Sequence, residues 1–387
     1  MTRTKFNQNK SEQWTPFEAY QSVPVISRKS TLYVFGAGSS KDWGSPLGNE
    51  FFSKAKSISD GDGKNTTSRH VKEAYTNVIN ILATSGIDYN NVNFEELLTT
   101  CDIILAEKPD DKNIGTLRFN LIKMIFGVLT KCFGEATLGT GDSKFIEENP
   151  VNFRNFYQLF IKNIIETENP IFINLNYDIL LDSAVLEAYE PPIYERISTK
   201  RYIRYLLPQM KKPGYFDINK TTINPSGHKM YKPHGTVNLL LCNKCNKFIY
   251  SKDSFITIID NNRDSAVCPF CNEKLSYDNL SIIPPNYNKN IQKQNYVKEL
   301  IEDISLADEI NIIGYSFPPY DQDFRNIFLK GLCRNKKLCS INIIDKDEDE
   351  AKVFLKYNFL QLSGQKINLK SINGFLCFLQ QEVKNGK

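Results

Sequence analysis

The stretch TLYVFGAGSSKDWGSPLGNEFF, residues 31–52, decides the predicted fold. It begins as an apolar, β-prone run, passes through Gly36-Ala37-Gly38, and becomes amphipathic after a further Gly and Pro. Glycine lets a backbone turn tightly and approach a pyrophosphate, and the helix that follows would offer unpaired N–H groups. The stretch therefore predicts a nucleotide-binding edge of a sheet. The alternative is an ordinary sharp strand-to-helix connection.

The glycine spacing separates two kinds of nucleotide site. The dehydrogenase fingerprint G-x-G-x-x-G requires a third glycine, and Lys41 stands at that position. Hydride transfer is therefore disfavoured. A different and more specific spacing, G-A-G-x-S-x-x-x-G-x-P, is met by Gly36, Ala37, Gly38, Ser40, Gly44 and Pro46.

Three later segments repeat the order of apolar strand, polar tip and helix. They are PIFINLNYD at 170–178, EINIIGYSFPPYD at 309–321 and SINIIDKD at 340–347. Near-continuously apolar strands that alternate with helices predict an α/β fold, with a Rossmann-like parallel sheet covered on both faces. The polar tips would gather beyond the carboxyl ends of these strands, where such sheets bind ligands.

The chain divides into a short lead-in and one large domain. Residues 1–29 are polar and punctuated by Pro, which predicts an N-terminal arm, and residues 30–387 would form the nucleotide-binding domain. Within that domain, apolar residues recur at helical spacing over 49–168, which predicts a helical insertion. This insertion is our candidate for oligomer contacts or for gating.

Several polar tips carry side chains suited to a nucleotide. Asn176 and Asp178 place an amide and a carboxylate at one tip, although either could instead cap the next helix. His234, followed by Gly235, could accept a proton near neutral pH, although a lone histidine is more often structural. The remaining tips offer Gly314 and Ser316 for phosphate or ribose, and Asp345 for the ribose hydroxyls of the adenosine.

Four of the nine cysteines form two C-x-x-C pairs within residues 240–275. Two such pairs predict a closed tetrahedral site for structural Zn²⁺, with ligands Cys242, Cys245, Cys268 and Cys271. The remaining cysteines are expected to be core residues; they are Cys101, Cys132, Cys333, Cys339 and Cys377.

Composition excludes some classes of protein and leaves others unsupported. The net charge of the 387 residues is +4 and the basic residues are dispersed, so nucleic acid binding is not supported by this chain alone. No apolar run approaches the roughly 20 residues that span a bilayer, and the N-terminus lacks the apolar core of a signal peptide. We expect a cytoplasmic protein that does not contact a membrane.

The order of these motifs resembles the sirtuin family. The glycine stretch, the Asn-x-Asp tip, the His-Gly pair, the two cysteine knuckles and a Gly-x-Ser tip follow one another as they do in sirtuins, over residues 31 to about 347. Sirtuins cleave the bond between nicotinamide and ribose in NAD⁺, so the resemblance implies NAD⁺ as the substrate. It leaves open which group accepts the ADP-ribosyl unit.

Two departures from the deacylase pattern bear on the acceptor. Leu47-Gly48-Asn49 stands where deacylases carry Asp-Phe-Arg, and IIPPNYNKN at 282–290 stands where they carry the Phe-Gly-Glu strand that pairs with the acylated peptide. Pro284 and Pro285 have no N–H for such pairing. The chain is more similar to the sirtuin-like NAD⁺ hydrolases of bacterial antiviral defence systems.

The resemblance implies hydrolysis of NAD⁺ to nicotinamide and ADP-ribose, as in abortive infection that depletes NAD⁺ against phage. Asn176 would position water or a ribose hydroxyl, His234 would be the general base, and Asp178 would hold the carboxamide. The expected contacts to the pyrophosphate and its ribose come from Gly36, Ala37, Gly38, Ser40, Gly314 and Ser316, and Pro46 is a further expected cofactor-binding residue. A homo-oligomer and a defence-system ATPase encoded nearby are the expected partners. The alternatives are an NAD-dependent protein deacylase and a catalytically silent sensor of NAD⁺ or ADP-ribose.

Overall fold

The computed structural model contains a large parallel sheet and a smaller mixed sheet. It describes residues 30–41, 44–61, 66–89, 92–138, 150–188, 203–206, 216–217, 228–245, 247–250, 267–268, 270–285, 295–346, 349–356, 368–375 and 377–379. Within these residues the large sheet has seven strands, which are β1 (Ser30–Phe35), β2 (Asn169–Asn174), β3 (Ile203–Leu206), β5 (His228–Tyr231), β9 (Glu309–Ile313), β10 (Ser340–Asp345) and β11 (Asn368–Asn373). Their order is β11-β10-β9-β1-β2-β5-β3, and every neighbouring pair is parallel.

The smaller sheet follows the order β4-β7-β6-β8 and carries the cysteine pairs. Its strands are β4 (Phe216–Asp217), β6 (Gly235–Leu241), β7 (Phe248–Tyr250) and β8 (Leu280–Ile282). Strand β6 begins directly after His234, three residues beyond the end of β5, so this sheet continues from a strand next to the edge of the large one. The two sheets therefore meet at the His-Gly motif.

Helices cover the sheets and connect their strands. The helices that precede β2 are α1 (Gly38–Lys41), α2 (Phe51–Asp60), α3 (Thr66–Thr84), α4 (Phe94–Glu107), α5 (Lys112–Leu138) and α6 (Pro150–Thr167). Those that follow are α7 (Leu180–Ala188), α8 (Asn295–Ser305), α9 (Gln322–Arg334) and α10 (Asp349–Leu355). The α/β class with a parallel sheet flanked by helices, predicted from the sequence, is confirmed.

Strand β1 lies at the centre of the fold because both of its faces are apolar. Leu32 and Val34 pack against α8, α9 and α10, whereas Tyr33 and Phe35 pack against α6 and α7. Successive residues of a strand face opposite sides, so one short segment contributes to two separate cores. All four side chains are at most 3% exposed, which explains the near-continuous apolar run in the sequence.

The strand order brings the four predicted tips together. Strands β10, β9, β1 and β2 are neighbours in the sheet, and all four run in the same direction. The chain moves outward from β1 through β2 on one side, and later through β9 and β10 on the other. A reversal of this kind leaves a crevice at the carboxyl ends of the central strands.

The helical region before β2 has two structural roles. Helices α2–α5 form a core with the small sheet that includes Phe94, Leu98, Ile125, Tyr277 and Leu280. Helix α6 instead covers the large sheet, where its Phe160 ring packs edge-on against Tyr33. The helices predicted between residues 49 and 168 therefore divide between the two sheets.

Other expectations have mixed outcomes. Of the leftover cysteines, Cys101 and Cys132 are buried as expected, but Cys333, Cys339 and Cys377 are exposed, so that prediction was wrong for these three. They follow or flank short apolar runs without facing the core. The N-terminal arm at 1–29 lies outside the described residues. Among the described residues, no helix has the length and apolar character needed to cross a membrane.

Candidate functional site

A cavity of about 460 Å³ lies at the carboxyl ends of the central strands. Nearly all of the predicted catalytic and nucleotide-binding residues line it; they are Gly36, Ala37, Gly38, Pro46, Asn176, Asp178, His234, Gly314, Ser316 and Asp345. Ser40 is the exception, since it is buried behind the cavity wall. The topology thus brings together residues that are separated by up to 309 positions in the chain.

The glycines after β1 are required by packing against the tip of β9. A Cβ on Gly36 would lie 2.5 Å from the Gly314 carbonyl oxygen, and Gly314 itself has φ +63 with no room for a side chain. The N–H groups of Gly38, Ser39 and Ser40 already donate to backbone carbonyls at 2.9–3.2 Å. The expectation of unpaired N–H groups at the start of the next helix is therefore wrong for these three residues.

Asn176 joins the tips of β1 and β2. Its Nδ2 donates to the Gly36 carbonyl at 3.0 Å, to Ser39 Oγ at 3.2 Å and to Ser40 Oγ at 3.0 Å. Because a carbonyl oxygen can only accept, the amide nitrogen must face Gly36, and the amide oxygen is left to face the cavity. Asn176 therefore presents a hydrogen-bond acceptor to any ligand in the cavity.

Asp178 lines the cavity and also bonds the start of a helix. One of its carboxylate oxygens accepts the N–H of Leu180, the first residue of α7, at 3.1 Å, from two positions before that helix. Burial raises the pKa of Asp178, while the Ser40 hydroxyl and the Lys232 ammonium act in the opposite direction. Ser40 therefore holds two predicted site residues, Asn176 and Asp178, in place.

A fully buried ion pair supports this wall from behind. Lys232 Nζ lies 2.8 Å from Asp182 Oδ2, and the two side chains are 0% and 1% exposed. Lys232 also donates to the Asp178 carbonyl at 3.0 Å and to Thr236 Oγ1 at 3.2 Å. This arrangement ties the tip of β2 to the end of β5 and the start of β6.

His234 is held by a buried carboxylate. Its Nε2 lies 2.9 Å from Asp321 Oδ2, and the same oxygen accepts the Tyr315 hydroxyl at 2.7 Å. With Asp321 ionised, Nε2 carries the proton, so the lone pair lies on Nδ1. That Nδ1 is buried and has no hydrogen-bond partner among the described residues. The pair is the arrangement by which a carboxylate fixes the tautomer of a histidine base.

A further acidic side chain reaches the cavity from α4. Glu95 is the second residue of that helix, and its N–H donates to the N-cap Asn93 Oδ1 at 2.8 Å. Burial raises the pKa of Glu95, and the nearby Asp321 adds to the rise, whereas His234 and the hydroxyls of Tyr177 and Tyr320 oppose it. Glu95 and the His234–Asp321 pair therefore interact electrostatically across the cavity.

The other end of the cavity carries two more acidic groups. Asp345, at the end of β10, and Glu350, in α10, both line it, together with Ser316. Acidic side chains at a strand end accept ribose hydroxyls in dinucleotide-binding folds. This end is suited to a ribose and disfavours an additional phosphate group.

The four cysteines of the C-x-x-C pairs form one cluster. Their sulfur atoms all lie within 4.8 Å of one another, with Cys242 and Cys271 3.5 Å apart and Cys245 and Cys268 3.6 Å apart. Four sulfurs about 2.3 Å from a tetrahedral zinc would be separated by about 3.8 Å. The cluster could therefore hold a metal ion such as zinc, as the spacing predicted.

Several residues of the site were missed by reasoning from the sequence. Asp321 belongs to the GYSFPPYD tip that had been singled out, and Glu95 belongs to a segment interpreted only as an amphipathic helix. Lys232 precedes the His-Gly motif by two positions. Asp321 and Glu95 have weak local signals, since an acidic residue at a helix start usually only stabilises the helix end.

Comparisons with known proteins add no assignment. A scan of the chain against protein-family models finds no match, and a search of curated proteins finds no significant one. The function must therefore be argued from the chemistry of the cavity.

Proposed function

We propose that this protein is a sirtuin-like NAD⁺ hydrolase that cleaves NAD⁺ to nicotinamide and ADP-ribose. The observation that supports it best is the convergence of Asn176, Asp178 and the Asp321-held His234 on one cavity. In this proposal the large sheet is a Rossmann-like dinucleotide fold, with Asp345 on the adenosine ribose. Gly36, Ala37, Gly38 and Ser316 lie nearest the pyrophosphate.

The chemistry required is modest and fits these residues. Departure of nicotinamide leaves positive charge on the ribose, so the site must hold the sugar and deliver water to C1′. The Asn176 amide oxygen accepts a hydrogen bond from a ribose hydroxyl or from the water. His234 Nδ1 takes a proton from the water, and Asp321 stabilises the resulting imidazolium. Asp178 accepts from the carboxamide of nicotinamide.

The position of α4 favours water over an acylated peptide as the acceptor. Thr99 of α4 donates to the Pro285 carbonyl at 2.7 Å, within the segment that replaces the peptide-pairing strand of deacylases. Pro284 and Pro285 also lack N–H groups. A peptide strand at this edge would have to displace α4, so a deacylase is the less favoured alternative.

The remaining parts of the proposal rest on the resemblance. The four cysteines would hold a structural Zn²⁺, because four thiolates leave no coordination position open for water. By analogy with the family that the chain resembles, we propose a role in antiviral defence, a cytoplasmic location, a homo-oligomer and a neighbouring ATPase partner. An uncontrolled NAD⁺ hydrolase would harm its own cell, so we expect its activity to be restrained until a trigger arrives.

The test compares NAD⁺ consumption by the parental protein with that of His234→Ala and Asn176→Ala. We expect the His234 change to lower the rate by about 10²- to 10⁴-fold, the usual cost of losing a positioned base. His228→Ala is the matched control, since His228 lies on β5 and does not line the cavity. Parental rates in both site variants would contradict the assignment.

The same assay distinguishes the alternatives. Nicotinamide and ADP-ribose should appear without an added peptide, whereas strict dependence on an acylated peptide would indicate a deacylase. Tight binding of NAD⁺ without turnover under any condition would indicate a sensor.

A further inference from the structure

Gly48 lies next to Glu95 in the cavity wall. A Cβ built on Gly48 would lie 3.4 Å from Asn93 Nδ2 and 3.7 Å from Glu95 Oε2. These are ordinary van der Waals distances, so a small side chain would fit at residue 48, whereas the Phe of the deacylase pattern would add a ring beside Asn93 and Glu95. Glycine at residue 48 therefore keeps bulk away from the Glu95 carboxylate.

The start of α4 is fixed by several contacts. Asn93 caps the helix. The centroid of the Phe94 ring lies 4.3 Å from that of the Phe51 ring and 6.4 Å from that of the Tyr177 ring. Thr99 bonds the Pro285 carbonyl one turn further along. Glu95 is therefore held at a defined place in the wall, whereas the next residue, Glu96, is exposed.

His234 Nδ1 is a buried polar atom of this cavity that has no hydrogen-bond partner among the described residues. The buried Tyr177 hydroxyl, by contrast, interacts with the Glu95 carboxyl group. Both side chains line the same cavity as Glu95. A buried polar atom without a partner is costly, and a polar ligand such as water would satisfy His234 Nδ1.

We propose that Glu95 is a further catalytic residue of this site, and that its carboxylate holds the attacking water together with His234 Nδ1. This role rests on the proposed NAD⁺ hydrolysis. One hydrogen of the water points to His234 and the other to Glu95, which directs an oxygen lone pair at C1′. The C1′–N bond breaks with its electron pair leaving on neutral nicotinamide. The water oxygen then bonds C1′, and its proton passes to His234.

This role predicts that loss of Glu95 slows the attack of water on C1′ without slowing cleavage of the bond to nicotinamide. If Glu95 only holds water, its loss leaves cleavage of the nicotinamide bond intact. The ribosyl cation can then be recaptured by nicotinamide, which re-forms NAD⁺. Labelled nicotinamide would enter NAD⁺ by this route, without consumption of water.

The experiment uses Glu95→Gln, with Glu96→Gln as the matched control from the next position of the same helix. Both hydrolysis and the incorporation of labelled nicotinamide into NAD⁺ are measured. We expect hydrolysis by E95Q to fall by about 10²-fold, the order that misplacing a reacting group costs, while exchange persists. The ratio of exchange to hydrolysis should therefore rise by a similar factor, and E96Q should match the parental protein.

Other outcomes would overturn the proposal. Parental hydrolysis in E95Q would show that Glu95 does not hold the water. A parallel fall of exchange and hydrolysis would indicate a structural or binding role instead. If the parental protein shows neither reaction, the proposed function itself fails, which is a different result from either of these.

Folding of E95Q can be checked independently. Because burial raises the pKa of Glu95, the folded state binds that proton more tightly than the unfolded chain does. The parental protein should therefore lose stability relative to E95Q as the pH rises above the ordinary range of a glutamate. Unfolded E95Q at the pH of the assay would show that its kinetic defect comes from misfolding.

Discussion

Replacing Asp321 by Asn tests whether the His234–Asp321 pair is the proton-accepting unit. The substitution keeps the size of the side chain, but it removes a charge 2.9 Å from His234 Nε2. If the amide oxygen faces His234, the tautomer survives but the imidazolium loses its counter-charge. If the amide nitrogen faces it, the proton moves to Nδ1 and the base is lost.

The magnitude follows from the burial of the pair. His234 is 5% exposed and Asp321 1%, so solvent screens their attraction weakly. Two unit charges about 4 Å apart at an effective dielectric constant of about 20 attract by about 4 kcal/mol. Each 1.4 kcal/mol is about tenfold in rate, so we expect kcat for NAD⁺ hydrolysis to fall by about 10²- to 10³-fold.

Steady-state assays of NAD⁺ hydrolysis measure this effect, and kcat should fall with little change in KM. Asp110→Asn is the control, because Asp110 is exposed in the turn between α4 and α5. A folded D321N protein with the parental kcat would refute the reasoning, since neither orientation of the amide preserves both the tautomer and the charge.

Two further predictions concern stability. Lys232→Met should lower the free energy of unfolding by about 3–5 kcal/mol in denaturant titrations, because it leaves Asp182 buried without its counter-charge. Lys337→Met is the control: it removes a surface ion pair and should lower the free energy of unfolding by at most about 1 kcal/mol. Cys245→Ser should abolish the binding of one zinc ion per chain. It should also speed hydrogen exchange in α2–α5, because these helices share a core with the cysteine module. Cys333→Ser is the control, since Cys333 is exposed, and it should leave both zinc binding and hydrogen exchange unchanged. Equal losses of stability in the two lysine variants, or full zinc binding by C245S, would contradict these expectations.

The parallel sheet could be predicted because its signal is local. In β1 every residue from Leu32 to Phe35 is buried, and a buried parallel strand has to be apolar throughout. The cysteine cluster could be predicted for the same reason, since both pairs have the spacing that lets two thiolates face one metal ion. In both cases a few adjacent residues contain the whole pattern.

The glycines after β1 have a second role that their spacing in the sequence did not indicate. Their spacing correctly placed them at the cavity, but the tertiary structure shows that Gly36 and Gly38 also permit the tip of β9 to pack against them. Ser40 likewise stands in the expected segment, yet it lies behind the wall and holds Asn176. The sequence identifies the segment, and the packing around it determines what each residue contacts.

The residues 31–52 and the order of the later motifs by themselves determined the α/β class, the gathering of strand tips and the cysteine cluster. Only the tertiary structure decided that Asp321 meets His234 across 87 positions, and that α4 brings Glu95 to the same cavity. Periodicity and spacing report which face of an element is buried. They do not report which distant element lies opposite that face, because this depends on how the helices and the two sheets pack together.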